Sequence, residues 1–251
     1  MKKIIAVVPT RDEETNIGRC LESLSWCDEI VVIVTGHDNT AKIARDHKAT
    51  VIEKHSQDKD DYEALQKNIN WVIDNVKTDW ILRVDADEVV TKDLEGEIKE
   101  IIKKSEGNIV AYGIPRKQYL LGHFLKGGDW AYDRLVRLFK PQFCRYEPIV
   151  KIHEQFKVMG KVGYLSQSLL HYSHPDMKTL MRKFDVYTTL EAKQLKDSKP
   201  VAFFKLLFLP PYIFLRWMIY HHGYRDGFMG IIAGAMRAYY DILLYSKYLF
   251  G

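Results

Sequence analysis

Two rhythms of apolar and polar positions alternate through the first 116 residues. Short apolar runs predict strands at Ile4 to Val8, Glu29 to Val34, Thr50 to Glu53, Trp80 to Val84 and Asn108 to Pro115. Between them the spacing is helical. Thr15 to Leu24 places Ile17, Leu21 and Leu24 on one face, and Thr40 to His47 is a short helix. Tyr62 to Val76 is amphipathic through Leu65, Ile69, Val72, Ile73 and Val76, and Leu94 to Ile102 follows. Strands alternating with helices predict a parallel, doubly wound sheet. Ligands of such sheets bind beyond the carboxyl ends of the strands, so the loops at 9–14, 34–39 and 85–88 are expected to converge on one crevice.

The pattern then changes twice. From Arg116 to His174, glycine, aromatic and charged residues mix. Short strands are predicted at Leu135 to Phe139, Ile149 to Ile152 and Gly163 to Leu165, a sheet extension with long loops. From Met177 the chain reads as helical: Met177 to Leu195 is amphipathic, while Val201 to Tyr220 and Phe228 to Phe250 are nearly apolar. Either apolar segment approaches the ~20 residues that span a bilayer. Pro210, Pro211 and recurring charges interrupt them, so helices lying on a membrane surface, spanning helices and oligomer contacts all fit the pattern.

Composition narrows the class. A hydrophobic fraction of 47% with 8 Pro and 15 Gly in 251 residues excludes a disordered or collagen-like chain. Three cysteines, Cys20, Cys27 and Cys144, without zinc spacing imply reduced thiols and a cytosolic setting. The apolar run at the N-terminus stops at Pro9, too short for a secretory segment. Net charge is +4, but it is uneven: residues 176–251 hold 11 Lys and Arg against 6 Asp and Glu, and the rest hold 26 against 27. The cationic excess thus coincides with the aromatic C-terminal stretch. This suits an anionic membrane face and argues against nucleic acid as partner.

The densest chemistry lies at Trp80-Ile81-Leu82-Arg83-Val84-Asp85-Ala86-Asp87-Glu88, where an apolar strand ends in three acids within four residues. Carboxylates so close resist ionisation unless a cation sits among them. Mg²⁺ or Mn²⁺ bridging to a diphosphate meets that need. If strand geometry persists, Asp85 and Asp87 share a face. The plainer alternative is a solvated turn capping the helix after Thr91. The loop Pro9-Thr10-Arg11-Asp12-Glu13-Glu14 enters the next helix, either as a cap or as a contact for a base or ribose.

In their order and spacing these segments resemble family 2 glycosyltransferases of the GT-A fold, closest to the lipopolysaccharide-core β-glycosyltransferase subgroup. The resemblance covers nearly the whole chain. It is carried by Pro9 to Glu14, Asp61-Tyr62-Glu63-Ala64-Leu65-Gln66-Lys67-Asn68, Trp80 to Glu88, Pro115-Arg116, Gly122, Asp133 to Phe139, His153-Glu154, Leu170-His171-Tyr172 and Gly223 to Tyr240. Two positions depart from the family pattern. Asp12 stands where Asn is usual, and Val34 stands where an acid is usual, leaving Asp38 as its substitute.

The resemblance implies a GT-A catalytic domain over 1–175, with a nucleotide-sugar half (1–116) and an acceptor half (117–175), followed by C-terminal helices over 176–251. It implies an inverting, metal-dependent transfer from a nucleotide sugar to a lipid-linked or cell-envelope glycan, on the cytoplasmic face of the membrane, with homo-oligomer formation open. Donor contacts fall on Pro9, Thr10, Asp12, Glu14, Asp38, Gln66, Asn68, Asp85, Ala86, Asp87 and Arg116. Arg137 joins Arg116 as a diphosphate or acceptor contact, and Asp85, Asp87 and His171 are the expected ligands of Mg²⁺ or Mn²⁺. The general base is one of Glu154, Asp133 and Asp129. Two other readings stand beside this one: a nucleotidyltransferase, and a degenerate nucleotide-sugar-binding scaffold.

Overall fold

The structure is a computed structural model that describes residues 2–54, 62–104, 108–147 and 156–251. These residues form two compact units. One comprises residues 1–116 with 134–171, and the other 117–133 with 172–251.

The first unit is built on a mixed sheet. Strand β1 (Ile4–Thr10) pairs in parallel with β2 (Glu29–Val34) and β4 (Trp80–Arg83), and β2 pairs in parallel with β3 (Thr50–Glu53). Helices α1 (Ile17–Ser23), α2 (Thr40–Asp46), α3 (Tyr62–Asn75) and α4 (Lys92–Lys104) alternate with strands along the chain, close to the ranges the periodicity predicts. Every residue of β1 and β4 is buried, because helices cover both sheet faces. One core layer gathers Ile17, Leu21, Val34, Leu82 and Leu94; the other gathers Ile5, Ile33, Ile69, Ile81 and Phe139.

Beyond β4 the sheet departs from an all-parallel order. Strand β8 (Arg134–Phe139) lies between β4 and β6 (Ile109–Leu120) and is antiparallel to both. The strand predicted at 108–115 therefore does not neighbour β4. A short strand β5 (Glu88–Val90) pairs antiparallel with β12 (Leu169–His174), setting His171 opposite Glu88. Strand β7 (His123–Phe124) pairs antiparallel with the end of β6, β11 (Lys161–Tyr164) runs parallel to β6, and β9 (Cys144–Tyr146) pairs antiparallel with β10 (Phe156–Val158). The strand predicted at 149–152 and the candidate base Glu154 lie outside the described residues.

The second unit is largely helical. Helix α5 (Met177–Gln194) starts at Asp176, whose side chain accepts the Thr179 N–H. Helix α6 (Lys199–Leu215) continues into a π-helical turn at Arg216–Tyr220, and α7 (Phe228–Phe250) packs against both α5 and α6. Pro210 and Pro211 sit inside α6, where they have no N–H to give the carbonyls one turn earlier. Trp217 fills the centre of this unit, beside Leu125, Leu180, Phe184 and Ala233. The preceding loop must pass very close to it: a Cβ on Gly128 (φ +81) would lie 2.1 Å from the Trp217 ring.

Candidate active site

The carboxyl ends of β1, β2 and β4 meet at one edge of the first unit. There the loop after β1 is stitched to the loop after β2. Asp12 adopts a left-handed conformation (φ 52), which Asp and Asn tolerate better than other side chains, and its Oδ1 accepts the His37 N–H at 2.9 Å. Gly36 is needed beside it, since a Cβ there would lie 2.3 Å from Asp12 Oδ1. Glu14 Oε2 accepts from Asn39 N (3.1 Å) and Asn39 Nδ2 (2.9 Å). Asp38 Oδ2 in turn accepts from Glu14 N at 2.9 Å, while its Oδ1 accepts from Thr40 N at 3.0 Å. Burial pushes the Asp38 carboxyl up, but these bonds outweigh it and hold it below the usual carboxylate range. Asp12, Glu14 and Asp38, expected at the donor, thus also splice two loops into one rim. Val34 lies in the apolar core at the end of β2. Pro9 and Thr10 are buried, with Thr10 Oγ1 donating to Ile33 O.

Beneath that rim β4 ends at Arg83, two residues before Asp85, and residues 86–87 form a turn. The strand alternation that would aim Asp85 and Asp87 the same way is therefore absent. The turn is closed reciprocally: Asp85 N–H donates to Glu88 Oε2 and Glu88 N–H to Asp85 O, both at 2.9 Å. Ala86 is buried in the core. Cys20 of α1 points its Sγ at Asp85 O, 3.6 Å away. Its pKa is raised by burial first and then by Glu88, Asp87 and Asp85.

The two aspartates have different surroundings. Asp85 faces guanidinium groups. Arg137 Nη2 bonds its Oδ2, Arg137 Nη1 approaches Oδ1 at 3.5 Å, and Arg83 Nη2 lies 3.1 Å from Oδ1. Burial alone would raise the Asp85 carboxyl; Arg137, then Arg83 and Arg116, override it and hold it well below the usual range. Arg137 also reaches Glu88 Oε1 at 3.0 Å, and Arg116 Nη1 reaches the same oxygen at 3.1 Å. The side chains of Arg137 and Glu88 are 1% and 0% exposed, so this is an interior ion network. Three arginines thus surround Asp85, one of the expected metal ligands. Asp87 instead faces His171, with Oδ2 3.3 Å from Nε2 and the two side chains 15% and 13% exposed. Nδ1 of His171 is buried without a hydrogen-bond partner.

Arg116, Arg137 and Glu88 stand out in the sequence, whereas Arg83, Tyr146 and Asn70 do not. Arg83 donates to the Tyr146 hydroxyl and lies 5.2 Å over its ring. Asn70 brackets the Tyr146 backbone, donating to its carbonyl at 2.8 Å and accepting its N–H at 2.9 Å. A cation in the middle of Trp80-Ile81-Leu82-Arg83-Val84 was the available signal: a strand buried on both faces carries an arginine only where it is paired. On α3, Gln66 is buried with its Oε1 lacking a partner, and Asn68 is half-buried.

The remaining carboxylates belong to the second unit. Asp129 Oδ2 lies 3.3 Å from Arg216 Nη2 and 3.7 Å from Arg237 Nε. Asp133 Oδ2 accepts from Gln118 Nε2 at 3.3 Å, and Gln118 Oε1 accepts from Ser173 Oγ at 3.0 Å. Asp226, within the Gly223 to Tyr240 segment, gathers His123 Nε2 (2.8 Å), Lys126 N (2.9 Å) and Gly127 N (2.9 Å). It thereby fixes the loop that carries Gly128. Trp130 packs edge-on to Trp217 at 5.1 Å, a core contact.

Comparison with known proteins bears on the family that the sequence resembles. The model of the family described as glycosyl transferase family 2 matches residues 5–185. The lipopolysaccharide core biosynthesis glycosyltransferase LpsC of Rhizobium meliloti (strain 1021) is 31% identical, over 94% of this chain and 88% of its own. An uncharacterized glycosyltransferase of Rickettsia typhi (strain ATCC VR-144 / Wilmington) is 25% identical, over 98% of this chain and 87% of its own. Among solved structures, that of S. aureus TarS 1–349 superposes with a TM-score of 0.51 at 13% identity. It covers 97% of this chain and 90% of that one, a likeness of fold. With the family matched over most of its length and a relative matched almost end to end, the chain belongs to glycosyl transferase family 2 and is a glycosyltransferase of GT-A fold.

Proposed function

We propose that the protein transfers a sugar, with inversion, from a nucleotide-sugar donor to a hydroxyl of a lipid-linked or lipopolysaccharide-type glycan, at the cytoplasmic face of the cell membrane. The observation that carries the donor half is the Asp85–Glu88 turn with its arginine network at the sheet's carboxyl edge. The name of the Rhizobium relative supports the acceptor class.

Asp87 and His171 would be two ligands of a divalent cation; among the described residues no third Asp, Glu, His or Cys stands with them to hold it. A carboxylate oxygen and an imidazole nitrogen face each other at 3.3 Å, the mixed O/N donor pair that Mn²⁺ or Mg²⁺ accepts. When bound, the ion neutralises charge on the departing diphosphate. Asp85 holds its place between Arg137 and Arg83 and positions the turn rather than ligating. Arg116 stands nearest the exposed edge of the network (13%) and is the guanidinium suited to contact a phosphate.

In the transfer itself, the acceptor oxygen bonds to the anomeric carbon as the bond to the diphosphate oxygen breaks, and the hydroxyl proton passes to a carboxylate. The charge that develops on the sugar ring resembles an oxocarbenium ion. Asp133 and Glu154 are the proposed bases; Asp129 is held by Arg216 and Arg237 and serves the helical unit. Asp133→Asn and Glu154→Gln, measured in single turnover with a competent donor and acceptor, identify the base by a loss of about 100-fold or more. Proton NMR of the product reports the anomeric configuration. A retained configuration, or full activity in both variants, would overturn the assignment.

A further inference from the structure

The second unit presents a long apolar ridge to the outside. Along α6 and the π turn, Phe204 (61% exposed), Phe208, Tyr212, Leu215, Ile219 (69%) and Tyr220 recur at helical spacing on one face. The opposite face, with Ala202, Pro210, Ile213 and Trp217, is buried within the unit. Tyr224 and Phe228 (74%) extend the apolar surface past the turn. A contiguous exposed apolar surface of this length marks an interaction site rather than scattered surface residues.

Charge selects its occupant. From Ser198 to Arg225 the chain has Lys199, Lys205, Arg216, Arg225, His221 and His222, and no Asp or Glu. Lys205 and Arg216 are paired, with Asp197 at 2.7 Å and Asp129 at 3.3 Å, so the excess positive charge rests on Lys199 and Arg225. A two-fold contact between copies sets the same patch against itself and would repeat that excess. An anionic lipid surface offers the opposite sign, hydrocarbon for the phenylalanines, and a headgroup layer for the tyrosines. Lys199–Tyr220 is the one segment among the described residues long and apolar enough to cross a bilayer. Its buried face is fitted to α7, whose own contacts include the ion pair of Arg237 with Asp241 at 2.7 Å and that of Lys247 with Asp185 at 2.6 Å. A spanning helix would have to leave that packing.

We infer that the α6 ridge is an interfacial docking surface that lies in the plane of an anionic membrane leaflet, with its aromatic face in the headgroup–acyl boundary. This surface deepens the proposed function, since it holds the enzyme where a lipid-linked acceptor resides, but it does not depend on the transferase assignment. The full-length protein is mixed with vesicles of phosphatidylcholine alone or with phosphatidylglycerol at about a third of the lipid, then floated on a density gradient. Wild type is expected to float with the anionic vesicles, to lose most of that binding at high salt, and to be released by alkaline carbonate. Phe204→Glu/Phe208→Glu, both on exposed positions, is expected to reduce the partition at least tenfold while circular dichroism and donor hydrolysis in solution stay unchanged. Three results would overturn the inference. One is a folded wild type that binds neither vesicle. Another is resistance to carbonate, which indicates a spanning helix. The third is a dimer in light scattering that the double variant dissolves while vesicle binding persists. Failure of donor hydrolysis with intact flotation would count against the transferase reading alone.

Discussion

Arg137→Met tests the ion network most sharply. The wild-type guanidinium is 1% exposed and touches both Asp85 and Glu88. Methionine fills similar volume without charge, so the packing term is small and the loss is electrostatic. Removing one member of a buried ion pair costs about 3–5 kcal/mol, because the partner stays buried and uncompensated. Here Arg83 still faces Asp85 and Arg116 still faces Glu88. The lower end of the range therefore applies, about 3 kcal/mol for the first unit. Urea denaturation followed by far-UV circular dichroism reads this as a lower midpoint of the first transition at unchanged slope.

The pH dependence carries the sign. Because the Asp85 carboxyl is depressed in the folded state, its contribution is complete above the unfolded value near ~3.9. It is lost as pH falls below that toward the folded one. The gap between wild type and Arg137→Met should thus be full at pH 7 and shrink below about pH 4. If Arg137→Met fails to fold, Arg137→Lys keeps the charge but loses the two-pronged contact, and should show an intermediate loss. A loss under about 1 kcal/mol at pH 7, the value of a surface pair, would refute the reasoning.

Other outcomes follow from the same geometry. Asp226→Ala strips partners from Lys126 N–H, Gly127 N–H and His123, and should destabilise the helical unit by about 3 kcal/mol or more in calorimetry, at about 1–3 for each of the three donors. Gly128→Ala should be at least as damaging, since it needs a left-handed alanine against the Trp217 ring; soluble expression with wild-type melting would contradict that close approach. Burial pushes the Cys27 and Cys144 thiols up to about 12 and raises Cys20 as well. None of the three should react with a disulfide reagent at pH 8 until the protein is unfolded, and rapid native labelling would contradict it.

Much of the fold was legible because it is local. Strand β2 and helix α7 begin and end where periodicity places them, and most other boundaries differ by a residue or two. What the sequence hid is what distance in the chain obscures. Strand β8 enters between β4 and β6, and β5 pairs with β12 some eighty residues away, since antiparallel register depends on partners that no single window contains. The acid cluster stood out in the sequence, but its pairing with arginines from distant strands did not. Three acids within four residues suggested a cation, and three were present, as Arg83, Arg116 and Arg137. The alternation argument for Asp85 and Asp87 failed because β4 ends before them. Val34 and Asp12 depart from the family pattern in sequence. In the structure Asp12 occupies a left-handed position suited to Asp or Asn, and Val34 completes a core layer.

The central claim is a nucleotide-sugar site that works through Asp87. Calorimetric titration of a panel of nucleoside diphosphates and nucleotide sugars, with and without Mn²⁺, into wild type and Asp87→Ala tests it most directly. Binding of one nucleotide class is expected to require the metal and to disappear in Asp87→Ala, with the variant still folded. Absence of binding to a folded wild type, or metal-dependent binding that survives in Asp87→Ala, would contradict it.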